Sequence, residues 1–149
     1  MFEKLMVAGW GDMDFNSHMR NTAFLDKSAD VRMMYFAENG FPMDEFFRLR
    51  IGPVVRKDEI EYFKEIRLLE TFRITLFIAG LSEDGSRFMI RNEFWKAGGG
   101  LAAKVTSFGG WLDLSHRKLT APPDALRSAL NSLPPTEDFK VLSSILKTP

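Results

Sequence analysis

Between Thr71 and Asp113 the chain carries three strand-like runs separated by two short turn sequences, an arrangement that few folds accommodate. Thr71 to Gly80 alternates, with Phe72, Ile74, Leu76 and Ile78 on one face. Ser82-Glu83-Asp84-Gly85 is a hairpin turn. Arg87 to Lys96 follows, with Phe88, Ile90 and Phe94 inward and Arg87, Arg91 and Glu93 outward. Gly98-Gly99-Gly100 is a second hairpin loop, and Leu101 to Asp113 is the third run. Its Gly109-Gly110 pair marks a bulge or a close backbone approach. Hairpins join antiparallel neighbours. Two further strands are predicted upstream, Lys4 to Trp10 and Val54 to Phe63, the second following the breaker Gly52-Pro53.

One long helix is predicted, from about Thr22 to Glu38, stopped by Asn39-Gly40. At about 100° per residue, Phe24, Leu25, Ser28, Ala29, Arg32, Met33, Tyr35 and Phe36 share one arc. Phe24, Leu25, Ala29, Met33 and Phe36 are the expected core residues. Arg32 projects from the middle of that arc and always carries charge, so it needs a partner. Phe41 to Arg50 is a loop or short helix that could lie over a pocket. A single helix with an apolar arc needs a sheet to cover it, and the simplest result is an α+β domain with the sheet curled around the helix.

The stretch before the helix is polar: Asp12, Asp14, Asn16, Ser17, His18 and Asn21 crowd together there. Asn21 is the expected N-cap. A helix N-terminus offers unpaired N–H donors with positive dipole character. A carboxylate beside such donors is what hydrolysis of a polarised carbonyl requires. Asp14, His18 and Asn21 are the candidate catalytic residues.

The pattern Gly-Asp-x-Asp-x-x-Ser-His-Met-x-Asn-x-x-Phe-Leu from Gly11, followed by Asp30-Val31-Arg32, resembles the signature of hot-dog-fold acyl-CoA thioesterases of the 4-hydroxybenzoyl-CoA thioesterase-like group. Asp14, His18, Asn21, Phe24, Leu25, Asp30 and Arg32 match that signature in spacing. Ser17 stands where Gly is usual and Arg20 where the first Asn is usual. The resemblance implies a hot-dog fold, an antiparallel sheet of about five strands wrapped around one long central helix, over roughly residues 4–123. It implies hydrolysis of an acyl thioester to free acid and CoA, with no cofactor beyond the CoA of the substrate. The second Asp of the pair, Asp14, is then the catalytic one, as base or nucleophile, and Asp12 holds the loop. Phe15, Thr22 and Phe24 are candidate substrate-binding residues near it. Ser86 and Arg87 stand where relatives often place pyrophosphate contacts, commonly from a neighbouring subunit. A homodimer, and beyond it a homotetramer, is implied as well. A hot-dog hydratase or dehydratase using Asp14 and His18, or a non-catalytic acyl-CoA-binding protein, are the alternatives.

Composition narrows the field further. With 20 basic and 20 acidic residues in 149, no basic excess points to nucleic acid. The absence of cysteine excludes a thiol nucleophile, a disulfide scaffold and a thiolate metal site, and fits a cytoplasmic protein. No apolar run is long enough for a membrane span. Asp12, Asp14 and His18 match no strong metal spacing, so no metal is expected. No Ser occupies a Gly-x-Ser-x-Gly elbow. His116 is expected in a surface turn. Residues 1–123 form the expected domain; 124–149 are predicted as short helices, Asp124 to Asn131 and Glu137 to Leu146, packed on it around Leu133-Pro134-Pro135.

Overall fold

The computed structural model describes residues 1–146. In chain order the elements are β1 (Phe2–Val7), a single 3₁₀ turn (Trp10–Asp12), α1 (Asn21–Glu38), α2 (Met43–Leu49), β2 (Ile51–Tyr62), β3 (Thr71–Ser82), β4 (Arg87–Lys96), β5 (Leu101–Asp113), β6 (Lys118–Thr120), α3 (Asp124–Asn131) and β7 (Pro135–Leu142). The main path of the sheet runs β1-β3-β4-β5-β2, all antiparallel. Short β6 continues along the end of β5, and β7 lies parallel to β3. The sheet therefore has seven strands where about five were expected.

The inner face carries Phe72, Ile74, Leu76, Ile90, Phe94, Val105 and Trp111, all buried. α1 lies against it and buries Ala23, Phe24, Ser28, Val31, Tyr35 and Phe36. That stripe is rotated from the expected one. Ala29 is exposed, Leu25 and Met33 are partly buried, and Val31 takes a core place. The partner of Arg32 is Asn92, an inward-facing amide in mid-sheet, whose Oδ1 accepts Arg32 Nε at 2.9 Å. Tyr35 is tolerated in the core because its hydroxyl donates to the Ala129 carbonyl at 2.6 Å, which also docks α3. Gly109 marks a close approach: a Cβ there would lie 2.0 Å from the Val54 carbonyl oxygen, beside the bulge between Val55 and Lys57.

The tail differs from expectation. Glu137 to Leu146 is not helical; Pro135–Leu142 is a strand. β1 covers only Thr71–Leu76 of β3, which leaves the rest of that edge open. Gly80, Leu81 and Ser82 take Lys140, Val141 and Leu142 as partners. Unpaired backbone donors on a sheet edge outweigh the weak helical preference of the tail.

Candidate active site

Two loops at one end of the sheet build the site. The first leads from β1 to α1. Its 3₁₀ turn is anchored by Asp12, whose Oδ2 accepts the Gly9 N–H at 2.9 Å and lies 3.2 Å from Lys27 Nζ on the helix. The chain then turns tightly: the Asp14 N–H donates to the His18 carbonyl at 2.8 Å, and the Ser17 N–H to the Asp14 carbonyl at 3.1 Å. Ser17 sits in the left-handed region at φ 62°, which accounts for the Gly usual at this position in the family signature. Asp14 Oδ1 accepts the N–H groups of Asn16 at 2.8 Å and His18 at 3.1 Å. Its Oδ2 has no protein partner among the described residues.

The second loop, 63–70, leads from β2 to β3 and is laced to the first. Met19 N–H donates to the Ile66 carbonyl at 2.7 Å, and Leu69 N–H to the Ala8 carbonyl at 2.8 Å. His18 Nε2 lies 3.0 Å from Glu65 Oε2 across the gap. Between the loops is a cavity of about 390 Å³ lined by Asp14, Asn16, His18, Met19, Phe24, Tyr62, Phe63, Lys64 and Glu65. Phe24 seals its floor, packed edge-on against Tyr62 at 5.4 Å and Phe94 at 5.0 Å between centroids.

Of the expected site residues, Asp14, His18 and Phe24 meet at this cavity. Asn21 is not the N-cap. Arg20 holds that position in extended conformation, tied by Nε to Thr22 Oγ1 at 2.8 Å and by Nη1 to the Gly11 carbonyl. Asn21 is the first helical residue; its Oδ1 accepts the Thr22 N–H at 2.9 Å, and its own N–H has no partner among the described residues. Thr22 is exposed, and Phe15 is fully exposed and lines no described cavity. Asn16, Met19, Tyr62, Phe63, Lys64 and Glu65 complete the lining; for the last four, the adjacent Tyr62-Phe63 pair at a strand end was the only sequence signal.

Ser86 and Arg87 lie elsewhere. β4 register sets Arg87 opposite Gly110 and Phe94 opposite Ala103, so about 23 Å of strand separates Arg87 from the Phe24 floor. Ser86 is fully buried beneath the tail, accepting the Ile145 N–H at 3.1 Å, and cannot meet a phosphate in this arrangement. Arg87 lines a second cavity, of about 480 Å³, with Arg56, Lys57 and Lys140 over a floor that includes Met89 and Phe108. No carboxylate is among its lining residues. Among the described residues no group of three His, Asp or Glu is gathered to hold a metal ion. No helix among them is long and apolar enough to cross a membrane. His116 is exposed in a turn, 2.9 Å from Asp113.

The sequence model of the thioesterase-like superfamily matches residues 8–130, which hold both loops, α1 and strands β2 to β5 of the main sheet. The chain belongs to the thioesterase-like superfamily. No curated protein matches it. Among solved structures, this thioesterase-like chain is similar to a Staphylococcus aureus protein determined in complex with CoA: TM-score 0.81, 20% identity, covering 91% of this chain and 86% of that one. It is also similar to the 1,4-dihydroxy-2-naphthoyl-CoA thioesterase of Synechocystis, with TM-score 0.78 and 16% identity, covering 89% of this chain and 96% of that one. At such identities these likenesses establish the hot-dog fold, and they agree with the curled sheet and central helix described above.

Proposed function

We propose that this thioesterase-like chain hydrolyses acyl-CoA thioesters to free acid and CoA, with Asp14 as the reacting carboxylate. The observation that carries this reading is the state of Asp14: one oxygen is fixed by two backbone N–H groups and the other is unspent at the mouth of an aromatic-floored cavity. A fixed carboxylate with a free oxygen can attack the thioester carbonyl or take a proton from the water that does. In either route the carbon–sulfur bond breaks, water supplies the hydroxyl of the acid, and its remaining proton ends on the CoA thiol. The unpaired Asn21 N–H at the start of α1 is the donor proposed for the developing oxyanion. His18, held by Glu65, orients the thioester on the opposite side. The staphylococcal neighbour solved with CoA supports CoA as the carrier.

The working unit in this reading is a cytoplasmic homodimer. β2 is a twelve-residue edge strand, with Val55, Tyr62 and neighbouring Phe63 exposed. Such an edge is a template for a second copy. Antiparallel pairing of two β2 strands would bring the Arg56 end of one toward the Tyr62 end of the other. The cluster of Arg56, Lys57, Arg87 and Lys140 would then serve the phosphates of CoA held at the other copy's Asp14. Thiol release measured over a panel of acyl-CoAs tests the reading: turnover that Arg87→Gln slows through KM is expected. Failure to cleave any member would overturn it.

A further inference from the structure

The Asp14 cavity ends in a wall of rings. Phe24 is buried and meets Tyr62 edge-on at 5.4 Å and Phe94 at 5.0 Å between centroids. Phe94, fully buried itself, stacks in turn on Phe72 at 6.0 Å. Tyr62 stands opposite Ala103 of β5, and cross-strand partners share a face, so its ring turns inward to meet α1. Aromatic side chains on a helix lean toward its N-terminus, which carries the Phe24 ring up to the loop. The lining stops at these two rings. Ser28, one turn further along α1, and Ile60, the next inward residue of β2, take no part in it.

The helix sets the depth of the cavity. Asn21, whose N–H is the proposed oxyanion donor, precedes Phe24 by three residues, so the two lie about 4.5 Å apart along the axis. An extended chain advances about 1.25 Å per carbon. A thioester carbonyl held at Asn21 therefore leaves room for about four further carbons before the wall. Buried Met19 and the ring of Phe63 make the sides of that space apolar. The Phe24 side of the wall is fixed. Interiors are close-packed, and moving Phe24 would disturb Phe94 and, behind it, Phe72. Tyr62 differs, because at the end of an edge strand it is half exposed. It is the member of the wall that can be replaced without emptying the core.

Resting on the thioesterase reading of Asp14, we propose that the site takes compact acyl groups of about five carbons at most, and that the Phe24–Tyr62 contact sets this limit. The test titrates a straight-chain series from acetyl-CoA to decanoyl-CoA into the full-length Asp14→Asn protein by calorimetry, so that the readout does not depend on turnover. Affinity is expected to rise about fourfold with each methylene that is buried, and to level off near about five carbons. Adding Tyr62→Ala to the same protein should move that break to longer chains. Adding Phe15→Ala instead should leave it in place, because Phe15 does not line the cavity. A rise that continues to decanoyl-CoA, no rise at all, a break unmoved by Tyr62→Ala, or one moved by Phe15→Ala would overturn the proposal. If the parent protein releases thiol from no member of the series while the break in binding stands, the fault lies in the hydrolytic assignment and the wall survives. If it cleaves decanoyl-CoA as readily as butanoyl-CoA, the hydrolytic assignment stands and the wall falls.

Discussion

Asp14 and Asp84 both sit in tight turns and both accept hydrogen bonds from neighbours two residues on, yet they are in opposite chemical states. Asp84 lies in the β3–β4 turn. Its Oδ1 accepts the Ser82 hydroxyl at 2.8 Å, the Ser86 N–H at 3.0 Å and the Ser86 hydroxyl at 2.7 Å, and its Oδ2 accepts the Ser144 hydroxyl. Burial pushes this carboxyl up, but the hydrogen bonds from Ser144, Ser86 and Ser82 together hold it well below the usual carboxylate range. Both oxygens are spent, and the group works as a clasp that fastens the tail to the sheet. Asp14 spends one oxygen on its own loop and presents the other to a cavity. The lesson is to count unspent acceptors. The number of hydrogen bonds a carboxylate makes does not identify a reacting group, whereas a fixed carboxylate with a free oxygen facing a cavity is a candidate for one.

Stability measurements can break this comparison. The largest effect is expected for Asp84→Ala, which leaves buried hydroxyls of Ser82 and Ser86 without their acceptor; about 2–3 kcal/mol should be lost in denaturant unfolding. A midpoint matching the parent would mean that the clasp is ornamental. The same contact has a pH signature. A carboxyl lowered in the folded state contributes stability that is complete above its ordinary value near 3.9 and is lost as pH falls further. The stability gap between the parent and Asp84→Asn should therefore be constant at neutral pH and close below about pH 4. Asp12→Asn weakens the contact to Lys27, part-buried on both sides, and should cost about 1 kcal/mol. The smallest effect is expected for Asp14→Asn, within about 0.5 kcal/mol of the parent, because an amide oxygen still accepts the Asn16 and His18 N–H groups. A large loss there would make Asp14 structural, like Asp84.

The two regions also differ in how far the sequence reveals them. The Asp14 turn is closed by contacts within five residues, so its polar pattern could be interpreted locally. The hairpin strands were equally legible: Arg87–Lys96 and Leu101–Asp113 begin and end where alternation and glycines place them. Ser86 was misassigned because what buries it, Ser144 and Ile145, lies almost sixty residues away in sequence and arrives only through β7. β7 itself escaped notice because its pairing depends on where β1 stops, a tertiary fact. Tyr62, Phe63, Lys64 and Glu65 were missed for a similar reason, since only the packing of α1 on the sheet carries Phe24 to Tyr62. The burial stripe of α1 was off because the way the curled sheet covers the helix, a tertiary fact, buries the side carrying Ala23 and Val31 and leaves Ala29 exposed.

The central claim, that Asp14 performs thioester hydrolysis, is tested most directly by thiol release from acyl-CoA with the parent and Asp14→Asn proteins side by side. Turnover is predicted to fall by about 10²–10⁴-fold, the usual contribution of a positioned acid or base, with the unfolding midpoint retained. Near-parental thiol release by a folded Asp14→Asn protein would contradict the account.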